Sequence, residues 1–287
     1  MRQLYILYHY LIVNILYYFC SGIREGVIPL LGAIIGDIIG SPYEHSFIKT
    51  EEFPLFIEKS TFTDDTVLTV AIADGVMGDR DYSKSLRQYH RLYPDRGYGD
   101  SFSLWASSET SKPYGSFGNG SAMRVSPIGF AFNDLESVVL EATRSAEVTH
   151  NHTEGIKGAQ ATASAVFLAR IGKTKREIAD YIESSFDYDL TEPIASVRKW
   201  YSFDPTSHGT VPHSIRAFLE SKDFVDAIRK AVSLGGDSDT LACIAGSIAH
   251  AYYRHIPDRV VEEAVHLLDD RLRSVTQEFC SRFCVLL

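Results

Sequence analysis

Two short acidic clusters stand far apart in this sequence: Thr63-Asp64-Asp65-Thr66 and, after Gly235-Gly236, Asp237-Ser238-Asp239-Thr240. Each opens a run of small and apolar residues with helical spacing. Taken singly, each reads as a helix N-cap, because Ser, Thr and Asp cap well and acids in a first turn complement the helix dipole. Together they offer more than caps require. A cap uses one oxygen, whereas each cluster carries two carboxylates and a hydroxyl, and adjacent acids repel unless a cation lies between them. If the fold joins the clusters, the chemistry is that of a hard divalent cation, Mg²⁺ or Mn²⁺, held by oxygen ligands.

Other polar groups could share that pocket. Glu44, in Tyr43-Glu44-His45, follows a buried-looking run that contains Asp37, although a lone Glu is ordinarily a solvated surface acid. The stretch Gly115-Ser116-Phe117-Gly118-Asn119-Gly120-Ser121-Ala122-Met123-Arg124 is either a plain glycine-rich connection or an anion cradle. Its Gly and Asn residues allow left-handed backbone, which lets successive N–H groups face one anion, and a following helix N-terminus favours phosphate. No Lys follows, so it is not a Walker loop. Thr149-His150-Asn151-His152 lacks the third His or Cys of a transition-metal site, so hydrogen bonding to substrate or core is expected there. Of Tyr98, Phe102, Trp105, Tyr114 and Phe117, one could stack on a nucleobase and the rest should pack.

The elements that must position these groups are helical. Gly32, Gly36 and Gly40 fall on one face of a helix over 30–41, a stripe suited to close packing against another backbone. Further helices are expected over 66–78, 82–92, 121–132, 134–148, 153–171, 174–185, 211–221, 223–233, 238–254 and 258–272, with a long functional loop over 94–120. No useful alternating strand pattern and no internal repeat occurs, so an all-α single domain from about residue 30 to residue 287 is expected.

The composition of the 287 residues, 45% hydrophobic and 23% charged, suits a globular core. The net charge of −9 and the lack of a basic stripe give no indication of a duplex nucleic acid gripped through its phosphates. Cys20, Cys243, Cys280 and Cys284 form no CxxC zinc pair and no disulfide framework, which fits a reducing, cytoplasmic compartment. Residues 1–29 are an apolar extension, read as a signal, an anchor or a mis-called upstream start; a membrane role follows only if residues 5–20 are a true anchor. The terminal Cys284-Val285-Leu286-Leu287 matches a prenylation pattern without the upstream basic run, and is taken as chance.

Five motifs in order resemble the ADP-ribosylglycohydrolase family, including the dinitrogenase reductase-activating glycohydrolases. They are Gly36-Asp37-x-x-Gly40 with Tyr43-Glu44, Thr63 to Thr66, Gly118 to Arg124, Thr149 to His152, and Gly235 to Thr240. The resemblance spans residues 31 to about 255 and has no counterpart for residues 1–29. It implies an orthogonally packed all-α fold with two Mg²⁺ (or Mn²⁺) ions held by Thr63, Asp64, Asp65, Asp237, Asp239 and Thr240. It implies that Glu44 and Asp237 are catalytic. It implies that Ser116, Phe117, Gly118, Asn119, Gly120, Ser121, Met123 and His150 hold ADP-ribose. The implied partner is an ADP-ribosylated protein, through arginine or serine, or a smaller conjugate, and the implied enzyme is a monomer. Two other functions stay open: a non-catalytic ADP-ribose-binding or structural relative, and a metal-dependent nucleotide phosphohydrolase.

Overall fold

The glycine stripe at the start of the domain has a direct structural reading. Helix α1 (Leu31–Gly40) is buried along its whole length. It lies against the long helix over Ser238–Tyr253, which is itself buried from Ser238 to Ala251. A Cβ placed on Gly32, Gly36 or Gly40 would stand 2.3, 2.1 or 2.4 Å from the carbonyl oxygens of Gly246, Ala242 and Ser238. No side chain fits there, so the two backbones touch along the entire stripe. That contact forms the centre of the molecule and places Asp37 beside the start of the helix that carries Asp239.

The structure is a computed structural model that describes residues 29–283; the expectations for residues 1–28 and 284–287 lie outside them. After α1 come α2 (Asp64–Met77), α3 (Tyr82–Leu92), α4 (Asp100–Ala106), α5 (Gly120–Met123), α6 (Ser126–Ala131), α7 (Leu135–Glu147) and α8 (Thr153–Arg170). They continue with α9 (Lys175–Phe186), α10 (Ile194–Trp200), α11 (Ser207–Glu220), α12 (Phe224–Val232), α13 (Ser238–Tyr253), α14 (Asp258–Leu267) and α15 (Asp270–Phe283). Among the described residues there is no strand, only an isolated bridge between Gly118 and Thr206. None of the described helices is long and apolar enough to cross a membrane. Local chemistry sets many ends: Asp81, Asp134 and Asp223 cap α3, α7 and α12, and Thr174 with Glu177 closes a capping box on α9.

Helix α8 is the second close-packing element. Its Gly155 and Gly158 admit the Ser116 carbonyl and the Ser207 side chain, each 2.6 Å from where a Cβ would be. This brings the glycine loop of residues 115–120 and the start of α11 onto α8.

Several boundaries differ from expectation. The stretch 94–120 is not all loop, because Phe102 and Trp105 bury one face of α4. Tyr98, Phe102 and Trp105 pack on one another, with the Arg87 guanidinium 3.8 Å over the Trp105 ring. The 121–132 helix is broken at Arg124-Val125, ahead of Pro127, into α5 and α6. The 258–272 helix ends at Leu267, and α15 starts anew at Asp270. Helix α11 begins at Ser207, four residues early, and holds Pro212 within it. Helix α10 has no counterpart in the sequence reading; only Ile194 and Val197 bury in it.

Candidate functional site

Asp37 is the residue around which the site is assembled. Its carboxylate is completely buried and accepts four hydrogen bonds from the first acidic cluster. Thr63 donates its N–H at 3.0 Å and its hydroxyl at 2.7 Å; Thr66 donates its N–H at 3.0 Å and its hydroxyl at closer range. Burial still wins over these bonds and pushes the Asp37 carboxyl up to about 6. Helix α1 therefore holds the N-terminus of α2 through Asp37 and the N-terminus of α13 through Gly40.

The first cluster does cap its helix: Thr63 Oγ1 accepts from Asp65 N at 3.2 Å. The second does not. Asp237 stands at the N-cap position of α13 with no side-chain capping bond. Its Oδ2 instead accepts from Asn119 Nδ2 at 2.7 Å, and the same amide donates to Thr210 Oγ1 at 3.0 Å. A carboxylate withdrawn from capping and held by a loop amide is placed for something other than the helix end.

The clusters meet. Thr240 Oγ1 lies 3.3 Å from Asp65 Oδ2. Glu44, Asp237 and Asp239 each present a carboxylate oxygen, all within 4.8 Å of one another. The second oxygen of Asp65, Oδ1, is buried without a partner. Burial and mutual repulsion push Asp64, Asp65 and Asp239 well above the usual carboxylate range. Glu44 is raised by partial burial and by Asp237. Crowded buried acids with an orphaned oxygen are the donor set of a hard cation, so these residues fit one.

Asp64 leans toward the other wall. Its N–H donates to the Arg96 carbonyl at 2.7 Å, and Gly97, at φ 92°, leaves room for its carboxylate. The glycine loop forms the adjoining wall. Asn119 N–H and Ser207 N–H bond to the carbonyls of Pro205 and Phe117 at 2.8 and 2.9 Å. Ser116 Oγ accepts from Gly118 N at 3.2 Å, and Gly120 leaves room for the His150 ring. Phe117 is 54% exposed, available to a planar ligand. His150 is nearly buried, its Nδ1 2.8 Å from Thr149 Oγ1.

Two loop residues stand further back than the substrate-contact expectation. Ser121 is fully buried, and its hydroxyl donates to the Gly155 carbonyl at 2.7 Å, so it fastens the loop to α8. Met123 is buried beneath Thr240, with its sulfur 3.8 Å from that hydroxyl. Thr210, Pro205 and Lys49 carried no sequence signal. Lys49 Nζ donates to the carbonyls of Tyr201 (2.6 Å) and Leu234, and Gly235 (φ 65°) packs on Phe47, Ile48 and Lys49. That latch ties the segment after Glu44 to the turn just before Asp237.

The chain is similar to known proteins over most of its length. A family model described as ADP-ribosylglycohydrolase matches residues 29–285. ADP-ribosylhydrolase ARH3 from Gallus gallus is 27% identical over 307 residues, covering 78% of this chain and 84% of that protein. The human ARH3 shows the same identity and coverage. ADP-ribosylarginine hydrolase Tri1 from Pseudomonas putida (strain GB-1) is 26% identical over 256 residues, 78% of this chain and 69% of that one. A solved structure titled ADP-ribosylglycohydrolase-related protein complex superimposes with a TM-score of 0.68 at 23% identity, covering 90% of this chain and 97% of its own, which speaks to the fold.

Proposed function

The chain belongs to the ADP-ribosylglycohydrolase family, and on that premise we propose that it is a divalent-cation-dependent hydrolase releasing ADP-ribose from a glycosidic conjugate. One observation carries the reading. The Asn119–Asp237 bond of 2.7 Å ties the glycine loop directly to the acidic cluster, so one ligand can span both. An anion-binding loop beside a carboxylate pocket suits a sugar diphosphate whose far ribose enters the acids.

Thr63, Asp64, Asp65, Asp237, Asp239 and Thr240 would hold two Mg²⁺ or Mn²⁺ ions. When bound, such ions orient oxygen ligands and polarise them as Lewis acids. The remaining work belongs to the chain. Ser116, Gly118, Asn119 and Gly120 shape the loop wall that meets the diphosphate, with the Gly120 N–H at the start of α5 turned toward it, and Phe117 stacks on the adenine. His150 donates to an oxygen at the base of the loop. Glu44, on the half-exposed side of the acids, takes the proton of the attacking water at its carboxylate and gives it to the departing acceptor atom as the glycosidic bond breaks. Asp237, oriented by Asn119, faces the anomeric carbon and stabilises positive charge in an oxocarbenium-like transition state. Ser121 and Met123 support the loop from behind.

The test is ADP-ribose release from arginine- and serine-linked ADP-ribosyl peptides, with Mg²⁺ or with EDTA. Intact ADP-ribose released only with Mg²⁺ is expected, and the peptide cleaved names the linkage. AMP or phosphate as product would instead make the chain a phosphohydrolase. Bound Mg²⁺ with no product from any conjugate would make it a binding protein.

A further inference from the structure

Behind the glycine loop lies a buried charge. Arg124 is 0% exposed and has no carboxylate bonded to it. Its Nη2 donates to the Ser145 carbonyl at 3.1 Å and to Thr149 Oγ1 at 2.8 Å, while Nε and Nη1 are sealed without partners. A buried guanidinium with so few partners is costly, and of its two acceptors only the Thr149 hydroxyl carries a proton to hand on.

Thr149 is itself fully buried, and its Oγ1 stands 2.8 Å from His150 Nδ1. Arg124 can only donate, so Oγ1 accepts from it. The threonine proton then needs an acceptor, and His150 Nδ1 is the one its hydrogen bonds provide among the described residues. The reverse arrangement, with Nδ1–H donating, would give Oγ1 two incoming protons and strand its own. A buried, stranded hydroxyl proton is costly. With Nδ1 accepting, the ring proton sits on Nε2.

Among the described residues Nε2 has no hydrogen-bond partner and, unlike the buried orphans, it is not sealed from solvent. It faces the loop: Cβ atoms placed on Gly120 and Gly118 would lie 3.2 and 3.8 Å from it. Burial and the Arg124 charge hold the imidazole well below its ordinary titration range, so it stays neutral.

We propose that Arg124 and Thr149 are positioning residues that lock His150 as the neutral Nε2–H tautomer, making it an obligate hydrogen-bond donor to a ligand oxygen at the glycine loop. The ligand's identity as an ADP-ribose oxygen rests on the function proposed above; the lock does not. The Nε2–H donates to a phosphate or ribose oxygen and repels an N–H at the same place.

The test is ¹⁵N NMR of the histidine ring in full-length, ligand-free protein at pH 7, with His150→Gln to assign the signal. A single Nε2–H tautomer is expected. Thr149→Val should convert it to a mixed or Nδ1–H form and raise the Kd for ADP-ribose about tenfold, the loss of one buried hydrogen bond. Thr149→Ser should restore both. An Nδ1–H tautomer or an imidazolium in the wild type overturns the lock, whether or not the valine variant folds. An unchanged tautomer in Thr149→Val also overturns it. A wild type with the Nε2–H tautomer that ignores ADP-ribose supports the lock and removes the ligand reading instead.

Discussion

Under the proposed function, single side chains divide into those that offer oxygens to a cation and those that hold them still. Asp65 and Asp239 belong to the first kind: Asp65 Oδ1 is buried with no partner, and Asp239 shares its space with Asp237 and Glu44. Asp65→Ala or Asp239→Ala should abolish turnover and weaken Mg²⁺ binding by tenfold or more in a calorimetric titration, on the order of 1.4 kcal/mol per tenfold. Glu44→Ala should slow turnover while Mg²⁺ affinity stays nearly intact; full activity would remove Glu44 from the chemistry. Asp37 belongs to the second kind. An amide in its place removes the charge and turns an NH2 group toward the Thr63 hydroxyl at the Oδ1 position, or toward the donors of Thr63 and Thr66 at the Oδ2 position. Asp37→Asn should cost about 3 kcal/mol in urea unfolding, as expected for a buried charge-assisted network left half satisfied.

At the scale of elements, α1 is a jig. One face touches α13 through three glycines, and one side chain ties down α2. Gly36→Ala would press a methyl onto the Ala242 carbonyl, where no flexible atom can yield. It should destabilise the protein by about 3 kcal/mol and lower Mg²⁺ affinity together, because the two acid-bearing helix ends separate. The segment after Glu44 is held more lightly, from its edges. Lys49 reaches the carbonyls of Tyr201 and Leu234, Glu51 pairs with Arg198 and Lys230, and Arg229 donates to the Glu51 and Phe53 carbonyls. Lys49→Met should lower kcat several-fold with unfolding stability changed by less than about 1 kcal/mol, since its head group is near the surface. Equal kcat in the variant would show that the latch does not position Glu44.

Over the whole molecule, two populations of buried groups respond to acid in opposite senses. His150 and His250 are held neutral by burial, His250 down to about 3. In the unfolded chain they take up protons near pH 6.5. Each therefore contributes stability that is present above pH 6.5 and is lost as pH falls below it, by up to about 1.4 kcal/mol per pH unit. The raised carboxyls of Asp37, Asp64, Asp65 and Asp239 act the other way, because the folded state binds their protons first as pH falls. Saturating Mg²⁺ fixes the charge of the acidic cluster and leaves the histidine contribution exposed. Urea unfolding at pH 7 and pH 5 should therefore show a larger loss of stability with Mg²⁺ than with EDTA. Equal losses would mean that the cluster does not exchange protons for metal.

Much of the site could be read along the chain because its chemistry is packed into short runs. Adjacent acids at a helix start, three glycines four residues apart and a loop of Gly and Asn each state a local requirement: repulsion to be relieved, backbones to be brought together, φ values only some residues adopt. The helices over 82–92, 134–148 and 238–254 were legible for a similar reason, since a buried face repeats every three to four residues. Helix α10 was not, because two anchors make no period, and α4 was hidden by aromatics that also suited a ligand. The sequence determined the fold class, the family and the residue types of the site. Only the tertiary structure decided that Asp37 would join the clusters and that Asp237 would leave its cap for Asn119. It also set Ser121 facing inward and seated Arg124 on Thr149. Those outcomes depend on residues dozens to hundreds of positions apart meeting within a hydrogen bond's reach, a distance that no local pattern encodes.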